Sequence, residues 1–222
     1  MNNITLGGWN NNQNEPVFTD KLSHYLSVQN KVVQNFTLHI DSFDTDKGLF
    51  HVLVDKLRTA SPESKLDIHI SSMGGSVIEL LELKNVIKEK FLGRTTTWLT
   101  YGSSAGAFTF LLGDTRVAYP EASMMIHNFS ATVRGKSRDI IDKVEHYKKW
   151  LHPFFVKLIE PYFSETTIKE IMSGRDVWMT TPELCKRGIA THVHYMGELI
   201  EAKDYFEKIK STKVSKTKTK GK

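Results

Sequence analysis

The sequence predicts an α/β fold built from repeated β-β-α and βαβ units. Segments 36–40 and 66–70 alternate apolar and polar residues, as half-buried strands do. Segments 48–59 and 77–90 carry apolar residues at helical spacing, which predicts a helix after each of these strands. Strands that alternate with helices in this way favour a parallel sheet with right-handed crossover connections.

The rest of the chain continues this alternation. An apolar stripe that steps by three and four residues predicts a long helix over 137–160, which Pro153 is expected to kink or restart. The remaining predicted elements are strands at 95–100, 115–119, 124–126 and 190–193 and helices at 107–112, 164–172 and 181–187.

The positive charge of the chain is concentrated at one end. The 222 residues carry a net charge of +5, but segment 208–222 holds seven lysines and no acidic residue, so the remainder carries 5 − 7 = −2. A nucleic-acid-binding fold needs a basic face of its own, so this distribution argues against nucleic acid as a partner.

Composition also bears on the compartment. Cys185 is the single cysteine, so an intrachain disulfide is excluded and a reducing, cytoplasmic setting fits. The uncharged run 95–113 has glycine and serine at its centre and too few apolar residues for a membrane span. We therefore expect a cytoplasmic protein with no membrane contact.

Three regions differ in composition. Residues 1–16 are rich in asparagine and lack periodicity, which predicts a flexible N-terminal arm. Residues 17–210 carry the periodic segments and form one predicted domain. Residues 211–222 consist mostly of Ser, Thr and Lys and are predicted to be a disordered, lysine-rich tail.

The motif Gly102-Ser103-Ser104-Ala105-Gly106 lies between a predicted strand and a predicted helix. A serine at such a turn is exposed at the sheet edge, and the N–H of the next residue lies at a helix N-terminus, where an oxyanion is favoured. Small neighbours let a substrate backbone approach. The pattern favours a nucleophile at Ser104, although a small-residue turn that only packs would look the same.

A second turn, Met73-Gly74-Gly75, also joins a strand to a helix. Glycines in such a turn free backbone N–H groups to point at an anion or a carbonyl oxygen. Because parallel strands bring both turns to the same sheet edge, Gly74 or Gly75 and Ala105 together could form an oxyanion hole.

Two further residues complete a candidate set. His127 directly follows the apolar strand segment Met124-Met125-Ile126, where it is well placed as a base. Asp176 precedes Val177, Trp178 and Met179, so we expect its carboxylate to be partly buried and to orient the histidine.

No cofactor site emerges from the sequence. Gly135-Lys136-Ser137 is like the end of a P-loop, but Ser130 stands where that motif needs glycine. His192 and His194 form a pair that could bind metal, yet no Cys, Asp or Glu cluster completes the ligand set. We expect no cofactor and no metal in this chain.

In this combination and order the motifs resemble those of the ClpP family, the proteolytic subunit of ATP-dependent Clp protease, over roughly residues 36–193. The order of serine, histidine and aspartate is the order in that family. The matching segments are Ser71-Ser72-Met73-Gly74-Gly75 for the family's Asn-Ser-Pro-Gly-Gly, Ser103-Ser104-Ala105-Gly106-Ala107 for Ala-Ser-Met-Gly-Ala, Met124-Met125-Ile126-His127-Asn128, and Arg175-Asp176 with 179–188.

The resemblance implies the ClpP/crotonase fold with a protruding long handle helix at 137–160. It implies a serine endopeptidase that cleaves unfolded polypeptides with Ser104, His127 and Asp176. It also implies a homo-oligomer of stacked rings and an AAA+ unfoldase partner, which would be the protein that uses ATP. The stretch that follows His127 matches a family strand beside the site, which implies four substrate-binding residues: Ser130, Ala131, Thr132 and Val133.

Two other functions stay open on the sequence. An α/β-hydrolase esterase would also use a Gly-x-Ser-x-Gly turn, but its triad order is serine, acid, histidine. It would combine Ser104 and Asp176 with His192 or His194. A catalytically silent ring subunit that acts as a scaffold is the other alternative, although such copies usually lose triad residues.

Overall fold

The fold is described by a computed structural model, which covers the backbone of residues 24–29 and 212–219 and all atoms of residues 33–43 and 49–211. The predicted arm at 1–16 lies outside the described residues. The elements in chain order are β1 (His24–Gln29), β2 (Asn35–Ile40), α1 (Leu49–Arg58), β3 (Leu66–Ser72), α2 (Val77–Lys90), β4 (Thr95–Ser103), α3 (Ala105–Leu111), β5 (Thr115–Ile126), α4 (Ser137–Ile159), α5 (Glu165–Met172), β6 (Val177–Thr180), α6 (Thr181–Lys186), β7 (His192–Tyr195), β8 (Glu198–Glu201) and α7 (Ala202–Thr219).

One sheet organises these elements, and its order is β1-β2-β3-β4-β5-β7-β8, with β6 paired to β5. Strands β2, β3, β4, β5 and β7 run parallel to their neighbours in this series. Strands β1, β6 and β8 pair antiparallel at its margins. Helices α1, α2 and α3 are the connections between successive parallel strands. The predicted α/β class and its βαβ units are therefore confirmed.

The two faces of the sheet differ in chemistry. Along β2, β3 and residues 95–99 of β4 every second residue is buried, and Leu38, Ile68 and Leu99 are fully buried in the hydrophobic core. This strict alternation is why these segments form strands with one face in the core. The core also includes buried residues of the helices, among them Leu83 of α2 and Phe108 of α3.

The opposite face carries a row of neighbouring rings from five strands, which we call the aromatic row. The centroid distance is 4.8 Å between the rings of His39 and His69 and 5.5 Å between those of His69 and Trp98. The indole N–H of Trp98 also donates to the Asp67 carboxylate at 3.1 Å. The members of the aromatic row are His39, His69, Trp98, Tyr119 and His194.

Helix α4 packs on the core along only part of its length. Its buried residues are Leu151, Phe155 and Ile159, and no side chain of residues 137–150 is buried. The helix continues through Pro153 without interruption, so the predicted restart there is wrong. Pro153 is exposed, and water can hydrate the carbonyl group that proline leaves without a donor.

Strand β5 differs from its prediction because two short predicted strands are one strand of 12 residues. Its first half pairs with β7 through Val117 and Ala118, and its second half pairs with β6 through residues 123–126. A register shift against β4 between Leu99 and Tyr101 accommodates the middle of the strand, where Pro120 has no N–H to donate.

Three strands, β1, β6 and β8, and the C-terminal helix were not predicted. Strand β8 follows β7 through a two-residue turn in which Met196 and Gly197 both have positive φ, 53° and 87°. Helix α7 buries Ala202 and Tyr205, and its helical backbone continues to Thr219, into the segment that composition predicts to be disordered. The three domain boundaries themselves stay predictions.

Candidate active site

Ser104 lies between the end of β4 and the first residue of α3, in a backbone conformation that L-residues rarely adopt. Its φ is 54° and its ψ is −123°, and its hydroxyl caps no helix N–H. The Ser104 N–H donates to the carbonyl oxygen of Met125 at 3.1 Å, which ties the turn to β5. The Ser104 side chain is half-buried. Strained turns of this kind, between a strand and a helix, are typical of sites that carry a nucleophilic serine.

The turn after β3 packs directly on the Ser104 turn. Gly74 has a φ of +103°, and a β-carbon there would lie 2.6 Å from the Cβ of Ser104 and 3.1 Å from the backbone N of Ala105. The Gly74 N–H donates to the buried hydroxyl of Ser72 at 3.1 Å. Only glycine fits this close approach, so the turn and the candidate nucleophile form one packed unit.

The predicted oxyanion donors therefore divide into two groups. The Gly74 N–H is already used by Ser72. Within the described part of the chain, neither the Gly75 N–H nor the Ala105 N–H donates a hydrogen bond. Ala105 is also the first residue of α3, where the helix dipole favours negative charge. Gly75 and Ala105 are thus the two predicted donors that can still bind an oxyanion.

His127 and Asp176 reach the same sheet edge through strand register. Ser103, the residue before Ser104, pairs with Met125 on β5, and His127 follows Met125 by two residues. Ile126 pairs with Val177 in the antiparallel β5–β6 ladder, and the next position along each chain is His127 and Asp176. Facing residues of an antiparallel pair have Cα atoms about 5 Å apart. The fold thus brings together all three predicted residues.

The side chains do not form a connected triad in this structure. His127 is half-buried and Asp176 is exposed, so the expected partial burial of Asp176 is wrong. Among the described residues, no hydrogen bond or ion pair joins the side chains of Ser104, His127 and Asp176. Asp176 sits one residue before a short strand, Val177–Thr180, and that end position explains its exposure. The roles of the three residues stay predictions.

The predicted substrate-binding stretch lies beside these residues without regular structure. Ser130, Ala131 and Thr132 are exposed and Val133 is half-buried, in an irregular segment between β5 and α4. This segment follows His127 directly, so it borders the candidate site. Its binding role is not tested by these contacts and stays a prediction.

The residues of the esterase alternative are separated from Ser104. His192 pairs with Val117, which pairs with Trp98, six residues before Ser104. At about 3.3 Å per strand residue, that separation is roughly 20 Å. His194 contacts the Trp98 ring in an edge-to-face arrangement within the aromatic row. Neither histidine is placed to act on Ser104, and the register therefore argues against the esterase triad.

The same two histidines have other contacts. His192 lies 3.3 Å from the Glu201 carboxylate and 2.9 Å from the Thr191 hydroxyl. Over residues 33–43 and 49–211, no group of three His, Cys, Asp or Glu side chains is arranged to hold a metal ion. Burial raises the pKa of the Cys185 thiol to about 11, so that cysteine is not an activated nucleophile.

Two residues that matter for the site were quoted in motifs but given no role by the sequence. Ser72 fixes the conformation of the Gly74 turn, as described above. Asn128, directly after His127, donates its side-chain amide to the Met172 carbonyl oxygen at 2.8 Å. A polar side chain between a strand end and a loop is a weak signal on its own, because only the fold reveals its partner.

Comparisons with known proteins agree with this architecture. The family model described as Clp protease matches residues 25–196, which is more than half of the chain. The chain therefore belongs to the Clp protease family, a family of peptidases.

Curated relatives carry names that fit this assignment. The chain is 29% identical over 146 residues to "ATP-dependent Clp protease proteolytic subunit 2" of Corynebacterium efficiens, covering 64% of this chain and 72% of that protein. It is 28% identical over 141 residues to "ATP-dependent Clp protease proteolytic subunit 1" of Corynebacterium jeikeium, covering 62% and 74%. Of the helices that the structure describes, none has the length and apolar character of a membrane span.

Proposed function

We propose that this chain is a serine endopeptidase subunit that cleaves unfolded polypeptides with Ser104, His127 and Asp176. The observation that carries the proposal is the strand register. Ser104, His127 and Asp176 each lie directly beside the end of one of three adjacent strands, β4, β5 and β6, at the same edge of the sheet. The unused N–H groups of Gly75 and Ala105 beside Ser104 give further support. The family match and the names of the relatives are consistent with it.

The chemistry follows from these positions. His127 removes the proton from the Ser104 hydroxyl as its oxygen attacks the peptide carbonyl carbon. The N–H groups of Gly75 and Ala105 bind the oxyanion of the tetrahedral intermediate. His127 then gives the proton to the leaving amine, and an acyl-enzyme remains on Ser104. Water, deprotonated by His127, hydrolyses this ester and releases the carboxylate product. The reaction requires no cofactor in this chain.

Asp176 would hold the imidazole of His127 in the tautomer that accepts the serine proton. The Asp176 side chain is exposed, so it is free to rotate towards His127 when substrate binds. Catalytic hydrogen bonds are often long in the absence of substrate and tighten in the complex.

The chain would work as a homo-oligomer of stacked rings. In the first half of α4, residues 137–150, no side chain is fully buried and Tyr147 packs partly on the core, whereas Ile141 and Trp150 are 55% and 45% exposed. Several exposed apolar groups along one helix support a role for it as an interaction surface. An AAA+ unfoldase would supply unfolded polypeptide and use the ATP, in the cytoplasm.

The test is peptide hydrolysis by wild type and by Ser104→Ala. Loss of the hydroxyl should reduce turnover by about 10³-fold or more, since the nucleophile is then absent. Ser103→Ala is the matched control, because it removes a neighbouring hydroxyl whose one hydrogen bond within the described residues is a long one to the Met125 sulfur, at 4.0 Å. Turnover by pure, assembled Ser104→Ala at the wild-type rate would contradict the proposal.

Two further measurements separate the alternatives. Loss of activity in His192→Ala but not in His127→Ala would support the esterase. A fluorophosphonate probe that leaves Ser104 unmodified in fully assembled protein would support the silent scaffold. Comparison of an unfolded protein with its folded form as substrate tests the substrate class.

A further inference from the structure

Asn128 connects three elements at the point where β5 ends. Its side-chain oxygen accepts the N–H of Phe129 at 2.9 Å, which turns the chain away from the strand direction. Its side-chain NH₂ donates to the carbonyl oxygen of Met172, the last residue of α5, at 2.8 Å. The same nitrogen lies 3.4 Å from Nε2 of His152 on α4. One half-buried amide therefore joins the residue after His127 to two helices.

The connection from Met172 to Asp176 is itself held by hydrogen bonds. The N–H groups of Gly174 and Arg175 donate to the carbonyl oxygens of Ile171 and Glu170, both at 3.0 Å. The Arg175 side chain also pairs with the Glu170 carboxylate. Asp176 thus stands at the end of a short segment whose backbone is tied to the last turn of α5. A group that holds Met172 in place also limits where Asp176 can lie.

Beyond the last strand pair, Ile126 with Val177, the sheet no longer fixes His127 relative to Asp176. Past this pair, the hydrogen bond from Asn128 to Met172 joins the two segments. It spans from one residue after His127 to four residues before Asp176.

We propose that Asn128 is a positioning residue that holds the segments carrying His127 and Asp176 beside each other, so that the two side chains can form a bond when substrate is bound. This inference rests on the proposed function, because it assigns the two residues to one triad. The competing explanation is that Asn128 only satisfies a buried carbonyl and has no effect on the chemistry beyond stability.

The experiment compares Asn128→Ala, Asn128→Gln and Asn85→Ala in the assembled protein. Asn128→Ala removes the donor, whereas Asn128→Gln retains the amide on a side chain that is one methylene longer. Asn85 is an exposed asparagine on α2 and serves as the control. Rates are normalised to the fraction of Ser104 that reacts with a fluorophosphonate probe after exhaustive labelling.

For Asn128→Ala we expect kcat to fall by about tenfold or more with KM little changed, because misplacement of a catalytic group by about 1 Å can cost as much as 100-fold. Asn128→Gln should restore most of the rate, because it keeps the amide donor.

A purely structural role gives a different result. Asn128→Ala would then lower the labelled fraction or the melting temperature but leave normalised kcat unchanged, and this outcome overturns the proposal. Ser104→Ala is assayed in parallel. If wild-type turnover does not depend on Ser104, the proposed function fails and the role of Asn128 fails with it.

Hydrogen exchange gives a readout that does not depend on activity. Asn128→Ala should speed amide exchange in segments 127–129 and 173–176 together, whereas Asn85→Ala should not. Unchanged exchange in both segments would show that the Asn128 amide does not hold them, whatever the activity.

Discussion

A β-carbon on Gly74 would lie 2.6 Å from the Cβ of Ser104, closer than two such atoms approach in proteins. The turn that offers the Gly75 N–H and the turn that carries Ser104 are therefore in direct contact. Each turn restricts the other, and both depend on positive φ angles, +103° at Gly74 and 54° at Ser104. The oxyanion donors and the candidate nucleophile cannot move independently.

The first prediction concerns Gly74→Ala. The added methyl group meets Ser104 and the Ser103 carbonyl oxygen at 2.8 Å, in a backbone region that alanine disfavours. Strain and overpacking together should cost about 2–4 kcal/mol of stability and displace Ser104, so peptide turnover should be lost. Chemical denaturation and peptide hydrolysis measure the two effects.

Gly93→Ala is the control for this substitution. Gly93 also has a positive φ, +75°, but no atom lies within 4 Å of an added β-carbon. It should lose only about 1–2 kcal/mol and keep the activity per folded protein. Equal activity loss in both variants would show that backbone strain alone, and not contact with Ser104, is responsible.

The second prediction concerns assembly through α4. Leu151 is buried in the core of its own subunit, so a charged substitution there would disrupt the monomer. The test therefore uses residues of α4 that lie outside this core. Ile140 and Val144 are half-buried and are not among the residues packed against the core cluster. The double variant Ile140→Glu and Val144→Glu should form smaller particles with little activity but a retained helical signal.

Lys148→Glu on the same helix is the matched control, since it changes the net charge by the same two units at an exposed position. It should assemble as wild type does. Light scattering and far-ultraviolet circular dichroism distinguish the outcomes. A double Glu variant that remains fully assembled and active, or a wild-type protein that is a stable, active monomer, would refute the oligomer proposal.

The third prediction concerns the C-terminal lysines. Removal of residues 211–222 should leave peptide turnover within about twofold of wild type, because the buried residues of α7, Ala202 and Tyr205, lie before the cut. Truncation after Glu201 should instead lower the melting temperature, because it removes both of these core residues. Loss of activity by the shorter truncation, at the same assembly state, would assign the tail a catalytic role.

The fourth prediction concerns the pH dependence of stability. Burial lowers the pKa of His39 and of His69 below 6.5, and each stacks on a neighbour in the aromatic row. For His69 the nearby His39 lowers the pKa further, while Asp67 opposes the shift. The unfolded chain therefore binds more protons than the folded one as pH falls through 6.5, so stability decreases in that range.

His69→Phe keeps a ring in the aromatic row but removes the titrating group, so the loss of unfolding free energy below pH 6.5 should become smaller. His51→Phe is the control at an exposed position. Urea denaturation between about pH 5 and pH 8 measures the slope of the unfolding free energy against pH. If the slope of His69→Phe equals that of wild type, protonation of the aromatic row does not govern acid stability.

The parallel half of the sheet could be predicted because its signal is local. Alternation at 36–40 and 66–70 and the helical stripe at 77–90 each reflect one buried face. Strand β6 carries no such signal, since only Met179 of its four residues is buried. The β7–β8 hairpin was missed because its turn is Met-Gly rather than a common Asn-Gly or Asp-Gly pair.

The residues of the candidate site could be predicted from the sequence, but the contacts that they make could not. Ser104 and the glycine turn could be found because small residues between a strand and a helix are a recognisable pattern. The exposure of Asp176 could not be derived, since apolar neighbours in sequence need not cover a side chain in space. The contacts of Ser72 and Asn128 depend on which segments the fold brings together, and no spacing rule reports that.

The β5–β6 pairing has a consequence for when the site forms during synthesis. Ser104 obtains its tie to Met125 once β5 joins β4, but Asp176 reaches His127 only when Val177–Thr180 pairs with β5. A nascent chain that ends before Thr180 therefore has a complete Ser104 turn and a histidine, but no acid beside it. Under the proposed mechanism, full activity therefore has to wait until synthesis has passed Thr180.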